Sequence, residues 1–494
     1  MSKEQVATYQ TRFALEDESA LSACSHLFSS LERKLFADLM AKKSLTSLKK
    51  AYISDYRITA RQFNSLHFQL KGKIQSAKTL QKERAKELSH KIISIEKKLS
   101  KLKGKQLFRQ KNAMAKAKKK LHDLRELNKE DAVRLCFGGK KLFRSQFQAK
   151  DHAEWKKEWI EKRNNSFFSV GSKDETAGNQ SCTLGKKAGK LFLRLRLPHS
   201  LESSYGKYIF IEDLSFSYGE KNILEALEEN IKRSLLYKAK DPSFKELGRA
   251  LSYRFVKDGK GWRVFLSVSL KKPPVLSKKE LGVIGIDLNV DHLAVVETDR
   301  FGNKIKAEKI PLNLYGKTKD QALALIGDVS REIIEQAKIS KKPIAIEKLD
   351  FGKKKKSLRS QSPKKARMLS SFSYNKIHSF LKAKAYREGI EVLEVNPAYT
   401  SMLGHIKYTR LFGLSIHTAA AYTIGRRGLG FFEKLPFGQE VSLLTTKNTT
   451  LLFKVPVRNP HLDRVEVLRK TFKEYKAAHV AHFRAEKIRS LNKV

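Results

Sequence analysis

Residues 282–312 read GVIGIDLNVDHLAVVETDRFGNKIKAEKIPL, and their pattern decides the fold class. VIGID (283–287) is an apolar run of strand length, HLAVVETD (292–299) follows at hairpin spacing, and KIKAEKIPL (304–312) comes after a turn at Arg300, Phe301, Gly302 and Asn303. Beyond it the pattern predicts a helix over about 317–339, the apolar strand PIAIEKL (343–349), a helix around 366–388, the strand EVLEVNP (391–397) and a helix from about 413 to 429.

The order βββαβαβα is that of the ribonuclease-H-like fold, a mixed α/β layer architecture. Asp287 ends the first strand, and Asn289 and Asp291 share its face, because side chains two apart in a strand point the same way. Glu347 closes PIAIEKL, where burying a carboxylate is expensive without a cation or a hydrogen-bond donor. Either residue alone reads equally as a polar group where a strand leaves the core; jointly, in one βββαβ unit, they read as metal ligands. Phosphodiester cleavage at a two-metal site needs carboxylates that hold two divalent ions about 4 Å apart, one activating water and one stabilising the leaving oxygen. Asp287 would bridge both ions, Glu347 would bind one, and a third ligand would come from the last helix.

Upstream, KKPPVLSKKE (271–280) is polar, carries two prolines and marks a linker. Before it lie the strand-like runs KLFLRLRLP (190–198), KYIFIEDLSFSYG (207–219) and ALSYRFVKDGKGWRVFLSVSL (250–270), the last a hairpin around Asp258, Gly259 and Gly261, which points to a small antiparallel β-barrel or sheet. VATYQTRFALE (6–16) alternates like a half-buried strand; if it pairs with that β-domain, the helical region between them is an insertion. In that region Ala85, Leu88, Ile92, Ile95, Leu99 and Leu102 step by three and four, Gly104 breaks the seam, and Met114, Ala117, Leu121 and Leu124 resume it. Residues 72–128 therefore read as a Lys-rich antiparallel helical hairpin, either a solvated arm or an RNA contact. Beyond residue 432 short β-like runs and a basic helix carry no recognisable motif.

At 494 residues and 40% hydrophobic content the chain can bury several cores, which suggests two to four domains. The 101 Lys+Arg against 51 Asp+Glu leave a formal charge of +50, far more than solubility requires, so a polyanion is expected as partner. Basic residues along the whole length, with 9% aromatics, favour a phosphate track over a membrane anchor. The start lacks the regions of a signal peptide and no apolar run approaches the roughly 18 residues of a span, which predicts a cytosolic protein without membrane partners. Cys24, Cys136 and Cys182 are too far apart for a CxxC zinc site and read as buried free thiols.

GIDLNVDHLAVVETDRFGN, IAIEKLDF and FLKAKAYREGIEVLEVNPAYTS resemble the first and second RuvC motifs, and the segment leading to the third, of the TnpB family of transposon-encoded, RNA-guided DNA endonucleases. The resemblance covers roughly residues 282–430, and VNPAYTS is its sharpest match. It implies a multidomain α+β chain, with a RuvC-like domain and a wedge-like β-barrel domain interrupted by a helical recognition lobe. The expected divisions are 1–17 (first strand of the wedge), 18–150 (helical lobe), 151–275 (wedge), 276–432 (RuvC-like) and 433–494 (basic tail). It also implies a guide RNA and a double-stranded DNA target as partners, Mg²⁺ or Mn²⁺ at a two-metal site, and kinship with type V CRISPR effectors.

Two departures stand out. Where the family carries a four-cysteine zinc ribbon, MLGHIKYTRLFGLSIHTAAAY (402–422) has no cysteine, so no zinc is expected. Alignment of the third motif places His417 where the family has Asp. His417 reads as a metal ligand, as a base for attacking water, or as a structural residue. The family's cleavage activity is accordingly one reading and an RNA-guided binder that no longer cuts is its rival; a non-guided nucleic-acid protein is a third. Lys353, Lys354, Lys355, Lys356, Arg359, Lys364, Lys365 and Arg367 form an acid-free run after Glu347, either a solvated loop or a phosphate contact, and Arg426 and Arg427 follow His417 on its helix as further phosphate candidates or as dipole-paired helix ends. GKKAGK (185–190) has the wrong spacing for a P-loop, and Tyr374 with His378 lacks the HxH pair of a tyrosine transposase.

Overall fold

The first strand of the chain, β1 (Val6–Phe13), pairs antiparallel with β7 (Gly261–Ser269), Val6 opposite Ser269 and Phe13 opposite Trp262. This is seen in a computed structural model that describes residues 5–100, 102–271, 273–348, 371–445 and 449–491. Two compact units divide the chain, Met1–Lys271 and Lys272–Val494.

In the first unit the sheet order is β1-β7-β6-β2, with β2 (Ser166–Ser169) and β6 (Leu251–Asp258). Alternation along β7 buries Trp262, Val264, Leu266 and Val268 on one face. Among the described residues every regular element between β1 and β2 is a helix: α1 (Ser19–Met40), α2 (Leu45–Asp55), α3 (Ala60–Leu99), α4 (Gly104–Lys129), α5 (Lys140–Ser145) and α6 (His152–Arg163). The helices are thus an insertion between strands of one sheet. A capping box of Thr59 and Gln62 starts α3 at residue 60, earlier than the seam alone suggested. Leu88 and Ile92 meet Ala117 and Leu121 across α3 and α4, with Ala85, Met114 and Leu124 beside them, so the predicted seam closes on itself. Leu102 falls in the turn, where Gly104 takes φ +54°. A second antiparallel sheet, β3-β4-β5, is formed by Cys182–Lys187, Lys190–Arg196 and Tyr208–Leu214, and two helices, α7 (Glu202–Tyr205) and α8 (Glu220–Lys238), complete the unit.

The second unit is built on a mixed five-stranded sheet of order β10-β9-β8-β11-β12, from β8 (Ile284–Leu288), β9 (His292–Thr298), β10 (Lys304–Pro311), β11 (Ile344–Glu347) and β12 (Val392–Val395). β9 runs antiparallel to both β8 and β10, and β8, β11 and β12 run parallel. Two helices, α9 (Lys319–Ser340) and α10 (Ser371–Arg387), cover one face through Ile333, Ile334, Ile377 and Leu381 packed on Ile284, Ile286, Ile344 and Ile346. After α11 (Thr400–Phe412) comes α12 (Ile416–Gly428), which lies on the opposite face. Period-two alternation then puts Gly285 and Asp287 of β8, and Ala345 and Glu347 of β11, on the α12 side.

Small residues let α12 approach closely. A Cβ on Gly285 would stand 2.2 Å from the Ala421 carbonyl oxygen and 2.5 Å from the Gly425 nitrogen, and one on Gly428 would meet the Ala345 Cβ at 2.8 Å. The backbone cannot yield as a flexible side-chain tip does, so Gly285→Ala should destabilise the unit by about 1–3 kcal/mol. The corresponding drop of roughly 2–10 °C in the melting temperature is measurable by calorimetry; an unchanged Tm would show that α12 shifts freely on the sheet.

Described residues beyond 432 pack on α11. β13 (Glu440–Leu444) and β14 (Thr450–Lys454) form a hairpin whose Leu443, Leu451 and Phe453 pack on Met402, Leu403 and Ile406, together with Phe472 of α13 (Arg464–Leu491). The fully buried His405 joins these pieces: Leu444 O accepts from Nε2 at 2.8 Å and the Tyr475 hydroxyl meets Nδ1 at 2.7 Å. Burial lowers this imidazole to about 4. A folded pKa below the unfolded value of about 6.5 means the unfolded chain binds the extra proton. Stability from His405 is therefore full above about pH 6.5 and lost as pH falls toward 4. Thermal melts should show this acid loss in the wild type and a flatter profile in His405→Gln; identical profiles would assign the acid sensitivity elsewhere.

Candidate active site

Asp287 and Glu347 end adjacent parallel strands, and the register Ile286 opposite Ile346 carries them side by side on the α12 face. Asp287 is only 9% exposed, a costly place for a lone carboxylate. Three features compensate. Its Oδ2 accepts a hydrogen bond from Asn289 Nδ2 at 3.1 Å. The positive end of the α12 dipole faces it, and that helix starts where the Ser415 side chain caps the Thr418 amide at 3.3 Å. His417, in the first turn of α12 and 43% exposed at its side chain, brings Nδ1 to 3.5 Å from Asp287 Oδ2.

β8 ends at Leu288, and Asn289 donates its amide to His292 O, so Asp291 belongs to the reversing turn and not to the strand. Its Oδ1 lies 2.7 Å from His292 Nδ1, and that hydrogen bond holds the Asp291 carboxyl below the usual range against the opposing effect of burial. The His292 ring stands edge-on to His417, centroids 5.1 Å apart. Tyr374 is pushed up to about 12 by burial first and then by the charges of Asp287 and Asp291, which makes it a poor nucleophile.

The side chain of Glu347 is fixed by the motif that follows β12. Tyr399 takes φ 63° to start α11, and the next residue, the buried Thr400, donates its hydroxyl to Glu347 Oε1 at 2.6 Å. Arg427 of α12 donates to the Asn396 carbonyl oxygen; burial lowers its pKa and the charge of Glu347 partly restores it. Arg426 is held in the interior: its Nε donates to Glu433 at 2.6 Å and its Nη1 to Gly302 O at 2.8 Å. Burial opposes the charge on Glu433, but hydrogen bonds from Lys407, Tyr408 and Arg426 hold its carboxyl below the ordinary range. The run Lys353, Lys354, Lys355, Lys356, Arg359, Lys364, Lys365 and Arg367 lies outside the described residues.

Thr400 and His292 join the site without having stood out in the sequence. Thr400 lies inside the sharpest motif, VNPAYTS, but a Thr at the first position of a helix carries no periodic signal; His292 follows Asp291 directly and is found only by pairing the two.

The donor set can be tested against a divalent ion. Neighbouring ligands around Mg²⁺ or Mn²⁺, with bonds of about 2.1 Å, stand roughly 3 Å apart, so Asp287 and His417 fit two positions of one ion. Among the described residues no group of three His, Cys, Asp or Glu side chains is gathered closely enough to hold a metal. The protein side therefore fits one ion with an incomplete shell, the arrangement in which phosphate oxygens of a substrate commonly supply the remaining ligands.

No family model matches this chain. An uncharacterized protein of Saccharolobus solfataricus is 26% identical over 291 residues, covering 58% of this chain and 72% of that protein. Among solved structures, T. thermophilus RuvC in complex with a Holliday junction substrate matches 29% of this chain and 90% of its own at 14% identity and a TM-score of 0.23. A CRISPR-Cas12f ternary complex matches 85% of this chain and 98% of its own at 12% identity and a TM-score of 0.20, and a Cas12f1–sgRNA–target DNA complex 86% and 99% at 12% and 0.22. At TM-scores this low none of these likenesses fixes the fold or the function of this chain. No described helix is long and apolar enough to cross a membrane.

Proposed function

We propose that this chain is an RNA-guided, divalent-metal-dependent DNA endonuclease of a transposable element, with the second unit as its RuvC-like domain of ribonuclease-H fold and the β-sheets of the first unit as a wedge interrupted by a helical lobe. The observation that carries the reading is the placement of Asp287 and Glu347 in register at the ends of parallel strands, with His417 laid over Asp287 by the start of α12. A divalent ion there would polarise the scissile phosphate and lower the pKa of a bound water. The chain's own residues would place its ligands: Asn289 orients Asp287, Thr400 orients Glu347, and the α12 N-terminus favours an anionic phosphate beside them. The excess of 101 basic over 51 acidic residues supplies the field that holds guide and target.

A second reading, a guided DNA binder that does not cut, is favoured by the missing third acid, since no three-ligand group occurs among the described residues. Cleavage of a plasmid bearing a guide-matched target, with Mg²⁺ or Mn²⁺, separates the two. Both readings require a defined RNA. The protein purified from its host should carry a structured RNA encoded next to its own gene, and its retention should weaken steeply with salt. Recovery of only random cellular RNA, washed away at moderate salt, would refute guidance.

A further inference from the structure

Alternation along β4 sends Leu191, Leu193 and Leu195 into the core, none of them more than 3% exposed, and turns Phe192 and Arg194 to the other face. The register places Arg194 opposite Phe210 and Gly185 opposite Phe192, and Tyr208 stands two residues before Phe210 on the edge strand β5. One face of this sheet therefore carries three aromatic rings, and two of them, Tyr208 at 36% and Phe210 at 52%, are open to solvent. A Cβ on Gly185 would come within 2.4 Å of the Phe192 ring, so the glycine is what lets that ring lie across β3. Cations accompany the rings: the Arg194 guanidinium carbon is 5.0 Å and the Lys207 ammonium 5.7 Å from the Tyr208 centroid.

Exposed rings on an otherwise well-packed sheet gain nothing from water, and the positive groups around them disfavour an apolar or basic partner. Exposed rings with Arg and Lys stacked beside them match the two surfaces of an unpaired nucleotide, a base that can replace or extend the stack and a phosphate for the cations. A duplex keeps its bases stacked internally and cannot use such rings. Glu212, exposed further along β5, repels phosphate but accepts a hydrogen bond from a ribose 2′-hydroxyl, which favours RNA over DNA. We propose that the outer face of the β3-β4-β5 sheet is a stacking platform for a single-stranded segment of RNA, seated on Tyr208 and Phe210 with Arg194 and Lys207 on its phosphates. The platform rests on the guided reading only for which RNA occupies it.

The test uses the full chain stripped of nucleic acid at high salt, with fluorescent oligo(U) and oligo(dT) of about twelve nucleotides and an RNA duplex of similar length as probes. Tyr208→Ala and Phe210→Ala should each weaken oligo(U) binding by about tenfold, leave duplex binding within about twofold, and keep the wild-type melting temperature. Arg194→Ala should flatten the salt dependence of oligo(U) binding by about 0.7 in slope. Oligo(U) carrying 5-iodouridine should crosslink to Tyr208 or Phe210 on irradiation. The platform is overturned if the folded variant carrying both Tyr208→Ala and Phe210→Ala binds oligo(U) as the wild type does, or if crosslinks map elsewhere. Equal affinity for oligo(dT), lost equally in the variants, would make the occupant DNA and overturn the RNA assignment. Random RNA in the native preparation would defeat the guided reading without touching these oligonucleotide results, so the two failures are distinguishable.

Discussion

Asp287→Ala and Glu347→Ala are each expected to reduce guided DNA cleavage by more than about a hundredfold, while RNA and target binding stay within about twofold. The magnitude follows from position: even outer partners that merely orient a metal ligand are worth about 10–100-fold, and loss of a ligand exceeds that. Thr400→Val supplies the graded control. It removes the hydroxyl that donates to Glu347 Oε1 at 2.6 Å but keeps the shape, so cleavage should fall by about 10–100-fold with both carboxylates still present. Rates measured under single-turnover conditions, beside filter-binding affinities, check all three. Wild-type cleavage by Asp287→Ala or Glu347→Ala would remove that residue from the site, and a Thr400→Val rate equal to wild type would mean that Glu347 needs no orientation from VNPAYTS.

Substitutions of His417 should change the choice of metal as well as the rate. An imidazole in place of a carboxylate takes one negative charge from the site, and Mn²⁺ tolerates a nitrogen ligand better than Mg²⁺ does. Wild-type cleavage should therefore be faster with Mn²⁺. His417→Asp would supply an oxygen donor from the position whose imidazole now faces Asp287 and should raise cleavage with Mg²⁺ by about tenfold or more, whereas His417→Ala should abolish cutting with either ion. If only His417→Asp cuts, the natural protein is a silenced guided binder. If His417→Ala cuts as well as wild type, the ring has a packing role beside His292 and the third ligand lies elsewhere.

The sequence made the second unit legible because its strands are continuous apolar runs separated by unambiguous turns, and because the α12 motif is rich in Ala and Gly for a steric reason that Gly285 and Ala345 share. The pairing of Asp287 with His417 was legible from the resemblance of the third motif, to which helix position added support; the orientation of Glu347 by Thr400 was not, since it depends on a left-handed residue at Tyr399 that turns the chain back toward β11. Arg426 and Arg427 look alike in sequence. Their fates diverge because successive helix positions point about 100° apart, one toward Glu433 and Gly302, the other toward Asn396 and the charge of Glu347. Beyond residue 432 the short β-like runs and the basic helix were legible, but their packing on α11 was not, because the strands are short, half exposed and carry no motif that names their partner.

The pairing of β1 with β7 has a consequence for synthesis. Thr8 and Ser267, which share a hydrogen bond, are 259 positions apart, so the first strand leaves the ribosome long before its partner exists. The helices between them make mostly local contacts and can fold as they emerge, whereas the sheet must wait for the last strand of the unit. During that interval Val6–Phe13 is an unpaired strand beside a growing cationic body. A nascent chain truncated before β7 should hold folded helices and a protease-sensitive N-terminus.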